Sequence, residues 1–183
     1  SGCLSSETTV EIRQNGTGRI TMSYVVDAVA FETGAFGSEE AGRIVPITER
    51  DFDRAAAQLE GLSLRRYRST ETDDEIDVTA VLDFDTVETL ERFLGSESLD
   101  IQLTESGGSW TQLIAPERVA DSADEALAAS LEQYGIVFVV EPPGQIVTVS
   151  GGQAASDRRS ARVEVGLDEI VLADQAIVWS VEW

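Results

Sequence analysis

Alternation of apolar and polar residues, interrupted by apolar stripes at helical spacing, constrains the fold of this chain more than any other feature. Alternating residues form half-buried strands, because successive side chains of a strand point to opposite faces. In the first 135 residues the order hairpin then helix occurs three times, at a spacing of roughly 40 residues. The pattern predicts an α+β fold, in which a mostly antiparallel sheet carries about three helices on one face.

Three capping patterns predict where the helices begin. Each pattern joins a hydroxyl or acidic residue to an acidic residue three positions later. Each is followed by an apolar stripe and then by a glycine that ends the helix. The three pairs are Thr48 with Asp51, Asp85 with Glu88, and Ser122 with Glu125.

Glycine-containing turns predict the hairpins. The first strand is expected over 9–14 and turns at Asn15-Gly16, while a later hairpin is expected to turn at Gly107-Gly108. Beyond residue 135 the sequence predicts only strands, over 136–140, 146–149, 162–167, 169–172 and 177–183. We therefore expect a tether over 1–8 and a single α+β domain over 9–183, in which any sub-boundary would fall near residue 135.

Missing residue types exclude many kinds of catalysis. The chain has no histidine and no lysine, and Cys3 is its one cysteine. Imidazole-based triads, Schiff-base chemistry and the phosphate-binding loop of NTPases all need a residue that is absent. Zinc, haem and iron–sulfur sites need histidine or cysteine clusters. We expect no cofactor, and only carboxylates, hydroxyls, tyrosine and arginine remain for chemistry.

The charge is strongly negative. Lys+Arg total 13 and Asp+Glu 34, which gives a formal net charge of −21. This charge repels phosphate, so nucleic acid is not an expected partner. Arg65, Arg66 and Arg68 form a local cluster that we interpret as pairing with nearby acids, with Arg66 and Arg68 on one strand face and Arg65 on the other. An acidic surface without lysine fits a high-salt habitat or a GC-rich genome.

The first residues resemble a processing signal. Ser1-Gly2-Cys3 looks like the end of a bacterial lipobox, a signal whose cysteine becomes the acylated first residue of the mature protein. The resemblance implies a signal peptide removed before Cys3, a membrane partner reached through an N-terminal lipid anchor, and a location in the bacterial cell envelope. The alternative interpretation of Cys3 is a buried free thiol.

A longer resemblance covers most of the chain. It starts with Asn15-Gly16 before a long strand and includes the run Phe-Val-Val-Glu-Pro-Pro-Gly-Gln-Ile at 138–146 and a later tryptophan-bearing strand. These features are similar to the LppM-type domain of bacterial envelope lipoproteins. The chain departs from that pattern at Gly151-Gly152, where the family often has Asn-Gly followed by a tryptophan. The resemblance implies an anchored α+β module that binds lipid, and it implies no catalytic residues.

Three aromatic residues are candidates for contact with a ligand or partner. Phe36 lies in a glycine-rich segment over 32–42, where it either touches lipid or a partner or packs back on the core. Trp110 and Trp179, with Trp183, either line an apolar pocket or pack in the core.

We thus expect a lipid-anchored ectodomain with a non-catalytic role, binding a hydrophobic ligand, a lipid or a protein partner. One alternative is an enzyme that uses carboxylates alone, through Asp51 with Asp53 or Asp83 with Asp85, in the manner of a glycosidase or a Ca²⁺- or Mg²⁺-dependent enzyme. The acidic run at Glu71 and 73–75 is either a calcium site or a solvated hairpin tip. The other alternative is a structural subunit of an assembly.

Overall fold

A computed structural model describes residues 5–27, 48–117, 122–132 and 134–183 of the protein. Within these ranges the chain alternates strands with short helices, which confirms the predicted α+β class. The helices are α1 (Glu49–Gln58), α2 (Val87–Leu94), α3 (Ser122–Leu131) and α4 (Leu167–Val171). The strands are β1 (Ser5–Ile12), β2 (Gly18–Asp27), β3 (Leu62–Glu71), β4 (Glu75–Phe84), β5 (Leu99–Thr104), β6 (Gly107–Ala115), β7 (Gly135–Glu141), β8 (Thr148–Ser150), β9 (Gln153–Ala154), β10 (Ala161–Gly166) and β11 (Ile177–Glu182).

The strands form two sheets where the sequence predicted one. Sheet A has the order β3-β4-β2-β1-β7-β10-β9, and sheet B has the order β5-β6-β11-β8. All the strand pairs are antiparallel in the described ranges except β1 with β7, which run parallel from Ser6 beside Ile136 to Glu11 beside Glu141. Strands after residue 135 join both sheets, because β7 lies beside β1 and β11 lies beside β6.

The core lies on one face of sheet A and continues into sheet B. Residues of that face, such as Val10, Ile20 and Leu82, are fully buried and belong to one cluster with Trp110 and Trp179. Burying an apolar side chain of this size contributes about 1.5–3 kcal/mol, so this shared cluster is the main force that holds the sheets together.

Helix α1 packs on the core through an aromatic cluster. Phe52 is fully buried, and its ring centroid lies 6.5 Å from that of Tyr24 and 6.0 Å from that of Tyr67. The predicted capping box is confirmed: the Asp51 amide donates to Thr48 Oγ1 and the Thr48 amide donates to Asp51 Oδ2. The helix therefore begins at the position that its own capping residues predict.

The cap of α2 differs from the expected one by a residue. Thr86, and not Asp85, is the N-cap, and its hydroxyl accepts a hydrogen bond from the Thr89 amide at 3.2 Å. The Asp85 amide instead donates to the Gly61 carbonyl at 2.9 Å. Gly61 lies in the connection between α1 and β3, so this hydrogen bond holds Asp85 against that connection. This tertiary bond moves the helix start forward by one residue.

Several local predictions are wrong in their bounds. β1 begins at Ser5 and not at Thr9, so half of the expected tether is a strand paired with β2. Residues 105–106 form the turn between β5 and β6, and Gly107 and Gly108 belong to β6. The expected strand at 169–172 falls largely in α4, because Leu167, Ile170 and Val171 have helical spacing.

The last residue closes one end of sheet B. The Gly108 amide donates to the Trp183 carbonyl at 2.9 Å, and the Trp183 amide donates to the Gly108 carbonyl at 3.1 Å. A Cβ atom on Gly108 would lie 2.5 Å from the Trp183 indole and 2.5 Å from the Gln102 carbonyl oxygen. Only glycine fits at this position while the indole covers it.

None of the helices in the described ranges is long and apolar enough to cross a bilayer.

Replacing Thr86 by alanine is expected to lower the free energy of unfolding by about 1 kcal/mol, because the Thr89 amide loses its capping acceptor. Replacing Asp85 by alanine removes only an exposed side chain, and the expected change is within about 0.5 kcal/mol. Urea unfolding followed by tryptophan fluorescence measures both values. A larger loss for Asp85→Ala than for Thr86→Ala would contradict this assignment of the cap.

Candidate ligand pocket

An open pocket of about 610 Å³ lies at the edge of sheet A where β1 begins. Five neighbouring strands form its wall. Ser5 of β1, Val25 of β2 and Asp77 of β4 lie side by side, and β7 and then β10 follow on the other side of β1. Residues after α3 and in α4 complete it, among them Tyr134 and Asp168. A volume of this size falls in the range of small-molecule sites in proteins. We call this site the β1 pocket.

The lining of the β1 pocket combines carboxylates, hydroxyls and a few apolar side chains. Val25 and Val137 supply apolar surface, and Ser23 and Thr79 supply hydroxyls within 3.5 Å of each other. The described residues that line it include no arginine, so the pocket is a region of negative potential. Its carboxylates are Glu7, Asp77, Glu132, Glu164, Asp168 and Glu169.

Tyr24 is a buried residue of the pocket lining. Its ring packs against Phe52, which connects the pocket to the core beneath α1. Burial raises the pKa of the Tyr24 hydroxyl well above its usual value, and the nearby Tyr67 and Asp51 raise it further. The hydroxyl therefore stays protonated at every physiological pH and acts as a neutral polar group.

The acidic hairpin tip expected at 71–75 is solvent-exposed. Asp73, Asp74 and Glu75 are all exposed, and the Thr72 amide donates to the Glu75 carbonyl at 2.8 Å to close the turn. In the described ranges no three acidic, cysteine or histidine side chains are grouped as metal ligands.

Asp83, one of the expected paired carboxylates, is held between two arginines. Its Oδ1 atom lies 3.0 Å from Arg19 Nε, and its Oδ2 atom accepts from Arg65 Nε. Partial burial would raise the pKa of Asp83, but the hydrogen bonds and charges of Arg65 and Arg19 outweigh it and hold the pKa below its usual value. A carboxyl group in this setting is ionised and pairs with arginine, whereas a general acid needs the opposite shift.

The arginine cluster has a different geometry from the expected one. A β-bulge between Leu64 and Arg66 inserts an extra residue in β3, so the simple alternation of faces fails there. Arg65 therefore reaches Asp83 on the same face as Arg66, and the expectation that Arg65 points to the other face is wrong. The interpretation that these arginines pair with nearby acids is confirmed for Arg65.

Trp110 and Trp179 lie in the core and contact each other. Both side chains are fully buried, and their ring centroids are 6.2 Å apart in an edge-to-face arrangement. Trp179 Nε1 donates to Gln112 Oε1 at 2.8 Å, which satisfies a buried polar group. In this arrangement both rings pack against protein, and contact with a ligand stays a prediction for them.

Cys3 and Phe36 lie outside the described residues, so their expected roles also stay predictions. The β1 pocket was not predicted from the sequence. Its lining comes from five strands, from α4 and from the segment after α3, and only the register of the strands brings them together. Glu7 was assigned to the tether over 1–8, and no local signal indicated which strands would be neighbours.

The fold is similar to that of a solved structure. The sequence matches no family model and no curated protein. The chain is similar in structure to the folded domain of Mycobacterium tuberculosis LppM, determined by NMR, with a TM-score of 0.51 and 11% sequence identity. The match covers 98% of this chain and 88% of that domain. The resemblance found in the sequence is therefore shown at the level of the fold.

Replacing Asp83 by asparagine is expected to destabilise the protein at neutral pH and to matter less as the pH falls. Asp83 has a depressed pKa in the folded state, so its contribution is present above the pKa of the unfolded chain, near 3.9, and is lost as the pH falls through the folded value. Urea unfolding between pH 7 and pH 2.5 measures the difference between the two proteins.

Glu164→Gln serves as the control for this prediction. Glu164 pairs with Arg162 at 2.8 Å, but both side chains are about half exposed or more, so the pair contributes at most about 1 kcal/mol. A difference between wild type and Asp83→Asn that stays constant down to pH 2.5 would contradict the ion-pair explanation.

Proposed function

We propose that this chain is the ectodomain of a bacterial envelope lipoprotein, acylated on Cys3, and that it acts by binding an amphiphilic lipid in the β1 pocket. One observation carries the proposal: Ser5 is both a lining residue of the pocket and only two residues from Cys3. An anchor at Cys3 would therefore hold the pocket beside the membrane from which such a ligand comes.

The chemistry of the pocket supports a ligand with a polar and an apolar part. Val25 and Val137 offer apolar surface, while hydroxyls and carboxylates surround them. A purely apolar ligand would leave these carboxylates desolvated without partners, which is costly. A lipid with a polar headgroup would meet both kinds of surface.

The fold likeness supports an envelope location. The domain it resembles is LppM of Mycobacterium tuberculosis, and the Ser1-Gly2-Cys3 sequence independently resembles a lipobox. Each observation concerns a different part of the chain, one the fold and the other its first residues. Together they favour a secreted and anchored module.

The arrangement of the acids favours binding over catalysis. Asp51 belongs to the α1 capping box, and Asp83 is paired with Arg19 and Arg65. These two carboxylates, which the enzyme alternative requires, are therefore occupied by structural contacts. Phe36 is proposed as a further contact with lipid or with a protein partner.

Acylation is tested on the full-length protein expressed in a bacterial host with its natural leader. Intact-mass measurement of the membrane-extracted protein is expected to show a chain that begins at Cys3 and carries a diacylglyceryl group. Cys3→Ser is expected to abolish this modification and membrane retention, because no other cysteine is present. An unmodified mature Cys3 in the membrane fraction would refute the anchor.

Ligand binding is tested with a fluorescent short-chain phosphatidylcholine added to the soluble domain. Val137→Gln removes an apolar contact from the β1 pocket worth about 1.4 kcal/mol, so the dissociation constant is expected to rise about tenfold. Val139→Gln is the matched control, because Val139 lies on the same strand and face but lines a different pocket. Equal effects of both variants, or no binding by the wild type, would refute the β1 pocket as the lipid site.

A further inference from the structure

We propose that the domain stands on the membrane with one defined edge of sheet A toward the bilayer, and that the carboxylates of this edge repel anionic lipid. This edge is formed by the ends of the strands and not by an outer strand: β1 begins there and β2 ends there. We call it the β1-start edge. The inference rests on the proposed acylation of Cys3 and adds the orientation of the domain and the kind of lipid surface it avoids.

β1 is firmly held in the structure. It is the middle strand of seven in sheet A, hydrogen-bonded to β2 from Ser5 onward and to β7 from Ser6 onward. A strand paired on both sides, as β1 is from Ser6 to Glu11, opens less easily than an edge strand. Ser5 pairs with Val25 of β2 and directly precedes this stretch, so it is a fixed point on the body of the domain.

The connection from Ser5 to the anchor is too short to let the domain turn over. Two residues of fully extended chain span at most about 7 Å between Cys3 and Ser5. The opposite end of β1, at Ile12, lies about 23 Å further along the strand at 3.3 Å per residue. The tether is therefore much shorter than the sheet, so among the described residues those at the β1-start edge lie nearest to the membrane.

The β1-start edge is acidic. The β3–β4 hairpin tip, with Asp73 and Asp74, lies there because β4 begins beside the end of β2. The carboxylates of the β1 pocket, including Asp77 and Asp168, lie at the same edge. A tether of about 7 Å is shorter than the Debye length of about 10 Å at 0.1 M salt, so these charges would act on the lipid surface.

The opposite end of sheet A has a different charge balance. Arg13 and Arg19 lie near the turn between β1 and β2, and Arg65 lies near the start of β3. An anchor at that end would place arginines paired with acids next to the bilayer, because Arg13 pairs with a carboxylate of β1 and Arg19 and Arg65 pair with one of β4. The position of Cys3 thus decides which charges face the lipid.

The experiment couples the soluble domain through Cys3 to a maleimide lipid in nanodiscs that contain a gadolinium-chelate lipid. The single cysteine makes this coupling specific. Paramagnetic broadening of backbone amides is expected to be strongest for 72–75 and Gly135 and weakest for 15–17. Uniform broadening, or the strongest broadening at 15–17, would overturn the orientation.

A matched variant moves the anchor to the other end. Cys3→Ser combined with Gln14→Cys places the only thiol on an exposed turn residue. The broadening pattern is then expected to invert. An unchanged pattern would show that the surface of the domain, and not the tether, sets the orientation, and it would overturn the proposal.

The proposed repulsion of anionic lipid is tested by a separate measurement. Replacing zwitterionic lipid by a mixture rich in phosphatidylglycerol is expected to reduce broadening at 72–75 at low salt, and about 1 M salt is expected to restore it. Asp73→Asn with Asp74→Asn is expected to weaken the response, whereas Glu11→Gln with Glu141→Gln, a neighbouring pair at the far end, is not. No response of the wild type to anionic lipid would overturn the proposed repulsion.

These outcomes are separable from the proposed function. Chemical coupling supplies the anchor, so the orientation is measured whether or not a cell acylates Cys3. Failed acylation in the native host would refute the anchor and leave the measured orientation intact, and a failed orientation test would leave acylation and lipid binding intact.

Discussion

The parallel pairing of β1 with β7 is the constraint on which the rest of this structure depends. It joins residues 6–11 to residues 136–141 and places the first described strand in the middle of sheet A. Without it the sheet would divide into two smaller ones, and the wall of the β1 pocket would be lost. β1 is thereby paired on both sides from Ser6 to Glu11, so Ser5, which pairs with β2, directly precedes the centre of the sheet.

Local chemistry made much of the fold predictable. The hairpin–helix order, the Thr48 capping box and the alternation along β4 depend on residues a few positions apart, and the structure has all three. The division into two sheets was not predictable, because strand order depends on contacts between distant segments. The prediction of Asp85 as the α2 cap is wrong for the same reason on a smaller scale. The Asp85 amide donates a hydrogen bond to the Gly61 carbonyl, 24 residues away in the sequence.

The candidate site was harder to predict than the fold. The aromatic residues Trp110 and Trp179 drew attention as chemically distinctive, yet their size makes them valuable in the core, where they are fully buried. The β1 pocket is instead lined by ordinary serines, valines and acids. Only the register of the strands shows that these residues lie together. Asp83 shows the same limit, because a bulge in β3 brings Arg65 to it and no spacing rule predicts that bulge.

The contact between Gly108 and Trp183 links two distant positions of the sequence. A side chain at 108 and the indole at 183 compete for one volume, since a Cβ atom would lie 2.5 Å from the ring. A Cβ atom at 108 would also lie 2.5 Å from the Gln102 carbonyl oxygen, so glycine is needed there even if the residue at 183 is small. Relatives with this fold should therefore keep glycine at the position of Gly108. The missing side chain is what leaves room for a large aromatic residue just after β11.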